Sequence, residues 1–304
     1  MFLKAILDEI QKKDILHFKK IKSNISHLEN KFPNEYKEFT LSVNKYFDSI
    51  KYNSEKIVVD YLKMIRDMRI EGLYFYKNGE YRCNNQQTAN LNVYSNSEIM
   101  TYYMNALLIS QLLWKHHFYI FIFFKSKIKS LFNDNFKPSI LDVGPGHGFY
   151  SKILKNEFSN YKNLDIVDIS LNSLNMTKSI LGFDDNKIRY FLKDIFEYDN
   201  NNKYDLICLG EVLEHLDNPK SILLKLSEFL TPNGILWITT PTNSPAIDHV
   251  YLFKTKEEVF KLIRDANFDI ISNCNFFAED MQEEEALFKK VTNLVGVFCK
   301  KKIG

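Results

Sequence analysis

The chain has no excess of charge and few cysteines. Forty Lys and Arg stand against 38 Asp and Glu, a formal net charge of +2 over 304 residues. That balance supplies no global field to gather nucleic acid or an anionic membrane. The four cysteines, Cys83, Cys208, Cys274 and Cys299, are far apart and form no CxxC. Neither a zinc knuckle nor a disulfide framework is expected, and a reducing, cytoplasmic compartment is. The first residues, MFLKAILDEIQKKD, turn polar too early for a signal peptide. The most apolar stretch, 104–124, is broken by Lys115, His116 and His117 and reads as buried helix rather than membrane span.

What is present is material for a large core, with 45% hydrophobic residues. At roughly 150 residues per domain the length suits two domains. Residues 1–70 carry helical periodicity, as in Tyr36, Phe39, Val43, Tyr46, Phe47 and Ile50. Pro33 marks one helix start and Ser54 is a candidate cap for the next. Residues 73–83 change period around Asn78-Gly79, which predicts a small hairpin, and the polar tract 83–92 predicts a loop. Residues 97–131 read as two buried helices.

After Pro138, short apolar runs alternate with amphipathic segments, the rhythm of an α/β fold. Strands are expected at 139–143, 164–169, 187–192, 204–210, 234–240, 268–274 and 294–300. One segment stands out: ILDVGPGHGFYSKIL, residues 140–154, reads as strand, glycine turn and helix. Gly144, Pro145, Gly146 and Gly148 allow a tight turn and close approach of a ligand to the backbone. Asp142, two residues before the first glycine, suits a cationic amine better than a pyrophosphate, and no G-x-x-x-x-G-K phosphate clamp exists.

LDVGPGHG resembles motif I of the class I S-adenosylmethionine-dependent methyltransferases, and the resemblance extends over roughly residues 137–300. It implies a Rossmann-like seven-stranded sheet at 136–304, with strand seven antiparallel beside strand five, and leaves 1–135 as a mainly helical cap. It also implies S-adenosylmethionine as cofactor. Asp168 and Ile169 match the position that meets the ribose hydroxyls, and Asp194 and Ile195 the pair beside adenine. Gly210, Glu211 and, from the cap, Tyr103 complete the expected cofactor pocket. A small-molecule acceptor is expected, with neither membrane nor nucleic acid as partner.

Chemistry is expected where the strands' carboxyl ends converge. Asp248 and His249 follow strand five and are the leading acid–base pair, with His215 beside them; each also suits a packing or capping role. Glu211, Glu214, His215 and His249 could instead hold a divalent metal, the two glutamates lying three apart on a helical face. E-x-x-E-H followed by D-H-x-x-x-F resembles the metal-dependent small-RNA 2′-O-methyltransferases. A non-catalytic cofactor-binding protein is the remaining alternative.

Overall fold

The computed structural model describes residues 2–133, 136–182, 185–199 and 201–302. The first half is helical: α1 (Phe2–Lys13), α2 (Ile15–Lys31), α3 (Pro33–Ser49), α4 (Ser54–Asn78), α5 (Gln86–Ala89), a π-helical turn (Asn90–Tyr94), α6 (Ser97–Leu113) and α7 (Lys115–Ile128). The second half alternates: β1 (Ser139–Val143), α8 (Phe149–Glu157), β2 (Asn163–Asp168), α9 (Leu171–Leu181), β3 (Ile188–Leu192), β4 (Tyr204–Gly210), α10 (Pro219–Phe229), β5 (Leu230–Thr242), α11 (Lys256–Asp265), β6 (Phe268–Phe277), α12 (Glu283–Phe288) and β7 (Asn293–Lys301).

The strands form one sheet in the order β3-β2-β1-β4-β5-β7-β6. β1 to β5 run parallel, and β7 is antiparallel between β5 and β6, as the resemblance implies. Because strand side chains alternate, each strand feeds two cores. Ile140, Leu206, Cys208, Trp237 and Phe298 face the helical half and join its core, which continues through Phe39, Leu112, Phe121 and Phe124. Leu141, Ile207, Leu209, Leu236 and Val297 face the other way, toward α10 and α11. Close packing of α7 on the sheet depends on Gly296, where a Cβ would stand 2.6 Å from Trp237 and 2.9 Å from Ile120.

Several local expectations fail. No hairpin forms at 73–83, because α4 runs on to Asn78 and Gly79 closes it in the left-handed region (φ 75°), donating its N–H to Phe75 O. Asn-Gly ends a helix as readily as it turns a hairpin. The cap of α4 is Asn53, whose side chain accepts from Lys56 N, and not Ser54. The tract 83–92 is not a simple loop: it forms α5 and enters the π-helical turn. Among the described residues no single helix is long and apolar enough to cross a membrane; α6 with the segment 115–131 passes only as a pair bent by 75°. Both helices bury most of their apolar residues in the core.

Candidate functional site

β1 delivers the chain into a loop in which Gly144, Gly146 and Gly148 all have positive φ, 63°, 56° and 76°. Only glycine adopts these at no steric cost. Two of the three also have no room for a side chain. A Cβ on Gly144 would lie 2.6 Å from Val212, and one on Gly148 would lie 2.9 Å from the backbone of Thr177. Gly144, Pro145 and Gly146 line a cavity of about 1060 Å³ between sheet and helices. Gly148 is not among its lining residues; its place is the junction of α8 with α9.

Asp142 lies under this loop, and its carboxylate accepts from Ser151 Oγ at the start of α8 instead of facing the cavity. Burial pushes its pKa up to about 7. Asp168, at the end of β2, does line the cavity. It accepts from Ser170 N at 2.7 Å, and burial, opposed by the amides of Ser170 and Gly146, pushes its pKa up to about 7. Ile169 lines the cavity beside it. Asp194 accepts from Phe196 N at 2.9 Å, and Ile195 is buried in the core on the opposite face of the sheet. Neither is among the lining residues.

The turn after β4 is a second strained element. Glu211 has φ 55°, rare for a side-chain-bearing residue, and is held there by its amide bonding to Thr239 O and Oγ1. Gly210 before it lets the Tyr150 ring approach, since a Cβ would meet that ring at 2.7 Å. The expected helical face for Glu211 and Glu214 is absent, because only one 3-10 turn forms, Leu213–His215. Both glutamates nevertheless line the cavity, each with a buried Oε1 that has no hydrogen-bond partner. Desolvation raises both, Glu211 to about 7, and Glu214 is pushed further by the Glu211 charge.

His215, Asp248 and His249 come together. His215 Nδ1 lies 3.0 Å from Asp248 O and 3.5 Å from Asp248 Oδ2, and the two imidazole centroids are 4.9 Å apart. His249 Nδ1 faces Ser244 O at 2.5 Å, which assigns the proton to Nδ1 and leaves Nε2 as an acceptor. Burial, and then the nearby His215, lower its pKa to about 4. Ligand atoms of Glu214, His215 and His249 lie within 4.8 Å of one another, a geometry that could hold a metal ion; Glu211 is not part of this trio.

The helical half reaches this group directly. Tyr103 of α6 donates to Asp248 Oδ1 at 3.2 Å. Tyr94, from the π-helical turn, donates to Asp248 Oδ2 at 3.1 Å and lies 3.0 Å from His215 Nδ1. Gln86 N donates to Asp217 Oδ1 at 2.9 Å. Tyr94 has no signal in the sequence, since NLNVY reads as an irregular polar segment. His17, His116, His117 and His147 also line the cavity, so with His215 and His249 six of the chain's seven histidines do. Burial lowers His116 to about 3 and His147 to about 4.

The ubiquinone biosynthesis O-methyltransferase of Rickettsia typhi is 28% identical over 163 residues, 47% of this chain and 65% of that protein. Malonyl-[acyl-carrier protein] O-methyltransferase 2 of Ilyobacter polytropus is 32% identical over 102 residues, 34% of this chain and 39% of that protein. The chain thus spans less than two thirds of either relative. The N-methyltransferase NodS from Bradyrhizobium japonicum, with bound S-adenosyl-L-homocysteine, superposes with a TM-score of 0.45 at 14% identity, covering 59% of this chain and 86% of that one. Residues 115–280, more than half of the chain, match the model of a methyltransferase-domain family, and the chain belongs to that family as a class I S-adenosylmethionine-dependent methyltransferase.

Proposed function

We propose that the protein methylates an oxygen or nitrogen of a small acceptor held in the cavity beneath the helical layer. The observation that carries this reading is that the glycine loop and Asp168 open into the same cavity as His215, Asp248 and His249. The residues present fit S-adenosylmethionine. Around Gly144 and Gly146 bare backbone borders the cavity, and the Asp168 carboxylate, which takes the amides of Ser170, Gly146 and Ile169, still has lone-pair capacity beyond these. Gly144, Pro145 and Gly146 would pass along the cofactor, Asp168 and Ile169 would meet its ribose, and Gly210, Glu211 and Tyr103 would border its reacting end. Asp142 and Gly148 act from behind by fixing the loop and the start of α8. Asp194 and Ile195 are assigned to adenine on the resemblance alone.

When bound, the cofactor supplies an electrophilic methyl group already activated for displacement. The chain has to orient the acceptor and receive its proton. With Nδ1 committed to Ser244 and a pKa near 4, His249 is neutral around pH 7 and offers Nε2 as acceptor. A base this weak suffices for a hydroxyl, whose proton grows strongly acidic as the methyl group arrives; an amine acceptor would have to attack already neutral and release its proton to solvent. Asp248, held by Tyr94 and Tyr103, fixes His215 beside it. The helices exclude water from this group, which strengthens each of its electrostatic contacts.

A second reading rests on the convergence of Glu214, His215 and His249. Two imidazoles and a carboxylate suit a divalent ion, which would acidify an acceptor hydroxyl. The small-RNA form of that reading has little support at this cavity, where Lys20 and Arg69 are both paired with carboxylates.

Methyl incorporation from labelled S-adenosylmethionine into a metabolite extract, with calorimetry of S-adenosylhomocysteine alongside, tests both readings. His249→Ala should bind S-adenosylhomocysteine as the wild type does and lose about 10²–10⁴-fold in incorporation. Activity lost on chelation and restored by magnesium or manganese selects the metal. Equal incorporation by His249→Ala and wild type removes His249 from both roles, and absence of cofactor binding by the wild type removes the methyltransferase reading itself.

A further inference from the structure

The second half of α4 carries a glycine, Gly72, in a helix interior where glycine costs about 1 kcal/mol relative to alanine. Nothing in the packing requires it: a Cβ built there would meet no atom within 4 Å. Gly72 lines the cavity, and the edge around it combines Leu16, Leu73 and Tyr76 with His17, Lys20 and Arg69. Leu16 of α2 is 76% exposed, and Leu73 and Tyr76 of α4 are 73% and 66% exposed, yet all three belong to the cavity wall. Large apolar side chains left in water at a cavity's edge mark ligand contact.

Charge on this side is paired in part: Lys20 lies 2.5 Å from Glu279 and Arg69 lies 3.5 Å from Asp14. Polar atoms without partners are found elsewhere on the lining, at Glu211 Oε1 and Glu214 Oε1 and, on the π-helical turn, at Asn90 Oδ1. The unpartnered polar atoms thus lie away from α2 and α4, whose solvent edge presents Leu16, Leu73 and Tyr76 between charges that have partners.

We infer that the acceptor is an amphiphile. Its hydroxyl- or amine-bearing head sits by His215 and His249, and its unbranched apolar tail leaves through a portal between α2 and α4, over Gly72. The identity of the head rests on the methyl-transfer reading above; the portal rests on the exposed Leu16, Leu73 and Tyr76 and the open glycine alone. A tail in this portal exchanges water for Leu16, Leu73 and Tyr76, and each methylene it buries adds about 0.8 kcal/mol, near fourfold in affinity.

The test is a titration of the full chain with para-butylphenol, para-octylphenol and para-dodecylphenol, each with and without S-adenosylhomocysteine, whose own binding is measured separately. Wild-type affinity should rise well over tenfold with each four-carbon lengthening of the tail, near fourfold for every methylene fully buried. Gly72→Trp, which fills open space, should bind the butyl compound normally and the dodecyl compound at least tenfold more weakly, while Gly72→Ala should match the wild type. No gain with tail length in the wild type, or equal dodecyl binding by Gly72→Trp, overturns the proposal. A chain that sediments as a dimer, is split by Leu73→Glu and shows no dependence on tail length overturns it in favour of a second copy covering this edge. Tail dependence without S-adenosylhomocysteine binding would support the portal while removing the methyl-transfer reading.

Discussion

The two walls of the cavity are made of different material. The part of the sheet wall after β1 is bare backbone, with Gly144 and Gly146 held at positive φ and no space for a Cβ on Gly144 beside Val212. The helical wall is side chains, with Tyr94 and Tyr103 reaching across to Asp248 and bulky apolar groups around an open glycine at 72. Geometry fixed by backbone fails as a whole when one atom is added. Geometry fixed by side chains can be trimmed one contact at a time, so the first wall suits an invariant ligand and the second a variable one.

The largest effect expected from this contrast comes from making the same substitution in each wall. Gly144→Ala puts a Cβ at φ 63° and 2.6 Å from the Val212 side chain. Left-handed strain and overpacking together should cost about 3 kcal/mol in urea unfolding. Gly72→Ala, in a helix with nothing nearby, should gain about 0.5–1 kcal/mol. Equal shifts of the two midpoints would erase the distinction.

Asp168 gives the next effect. Its folded pKa, about 7, stands above the ordinary value of 3.8, so the unfolded chain loses this proton first as pH rises. The stability penalty is absent below pH 4, accumulates toward pH 7 and is complete about one unit above it. Asp168→Asn should therefore be more stable than wild type at pH 8 without cofactor, by on the order of 1–3 kcal/mol, and little different at pH 4. The same variant should bind S-adenosylhomocysteine about tenfold or more weakly, since it exchanges a charge-assisted acceptor for a neutral amide. A stability difference that does not grow with pH would refute the buried charge.

Smallest is Tyr94→Phe, which removes one hydroxyl from Asp248 and His215. About 1 kcal/mol should be lost, with faster proteolytic nicking in residues 83–96 and unchanged S-adenosylhomocysteine affinity. Unchanged nicking would mean that this hydrogen bond does not tie the helices to the sheet.

The same difference in material explains what could be read from the sequence. Backbone geometry at Gly144, Gly146 and Gly148, and the alternation that splits β4 into Leu206 and Cys208 on one face and Ile207 and Leu209 on the other, are local, so spacing reveals them. Asp248 and His249 were legible as loop residues at the sheet's carboxyl edge. The Tyr94–Asp248 bond was not, because it joins residues 154 positions apart through a π-helical turn with no compositional signature. Asn78-Gly79 failed for a different reason: a left-handed glycine serves helix ends and hairpins alike, and the buried Phe75 decided for the helix.

The crowding of histidines around one cavity has a spectroscopic consequence. Six of the seven imidazoles border it, whereas His27 bonds to Tyr119 on the exterior. In a protein labelled with nitrogen-15 in histidine alone, nearly every ring resonance would report on the cavity, and the outer one would serve as an internal reference. Ring nitrogens respond to tautomer and hydrogen bonding over a wide chemical-shift range, so a candidate acceptor would announce both its arrival and the ring it approaches before any turnover is observed.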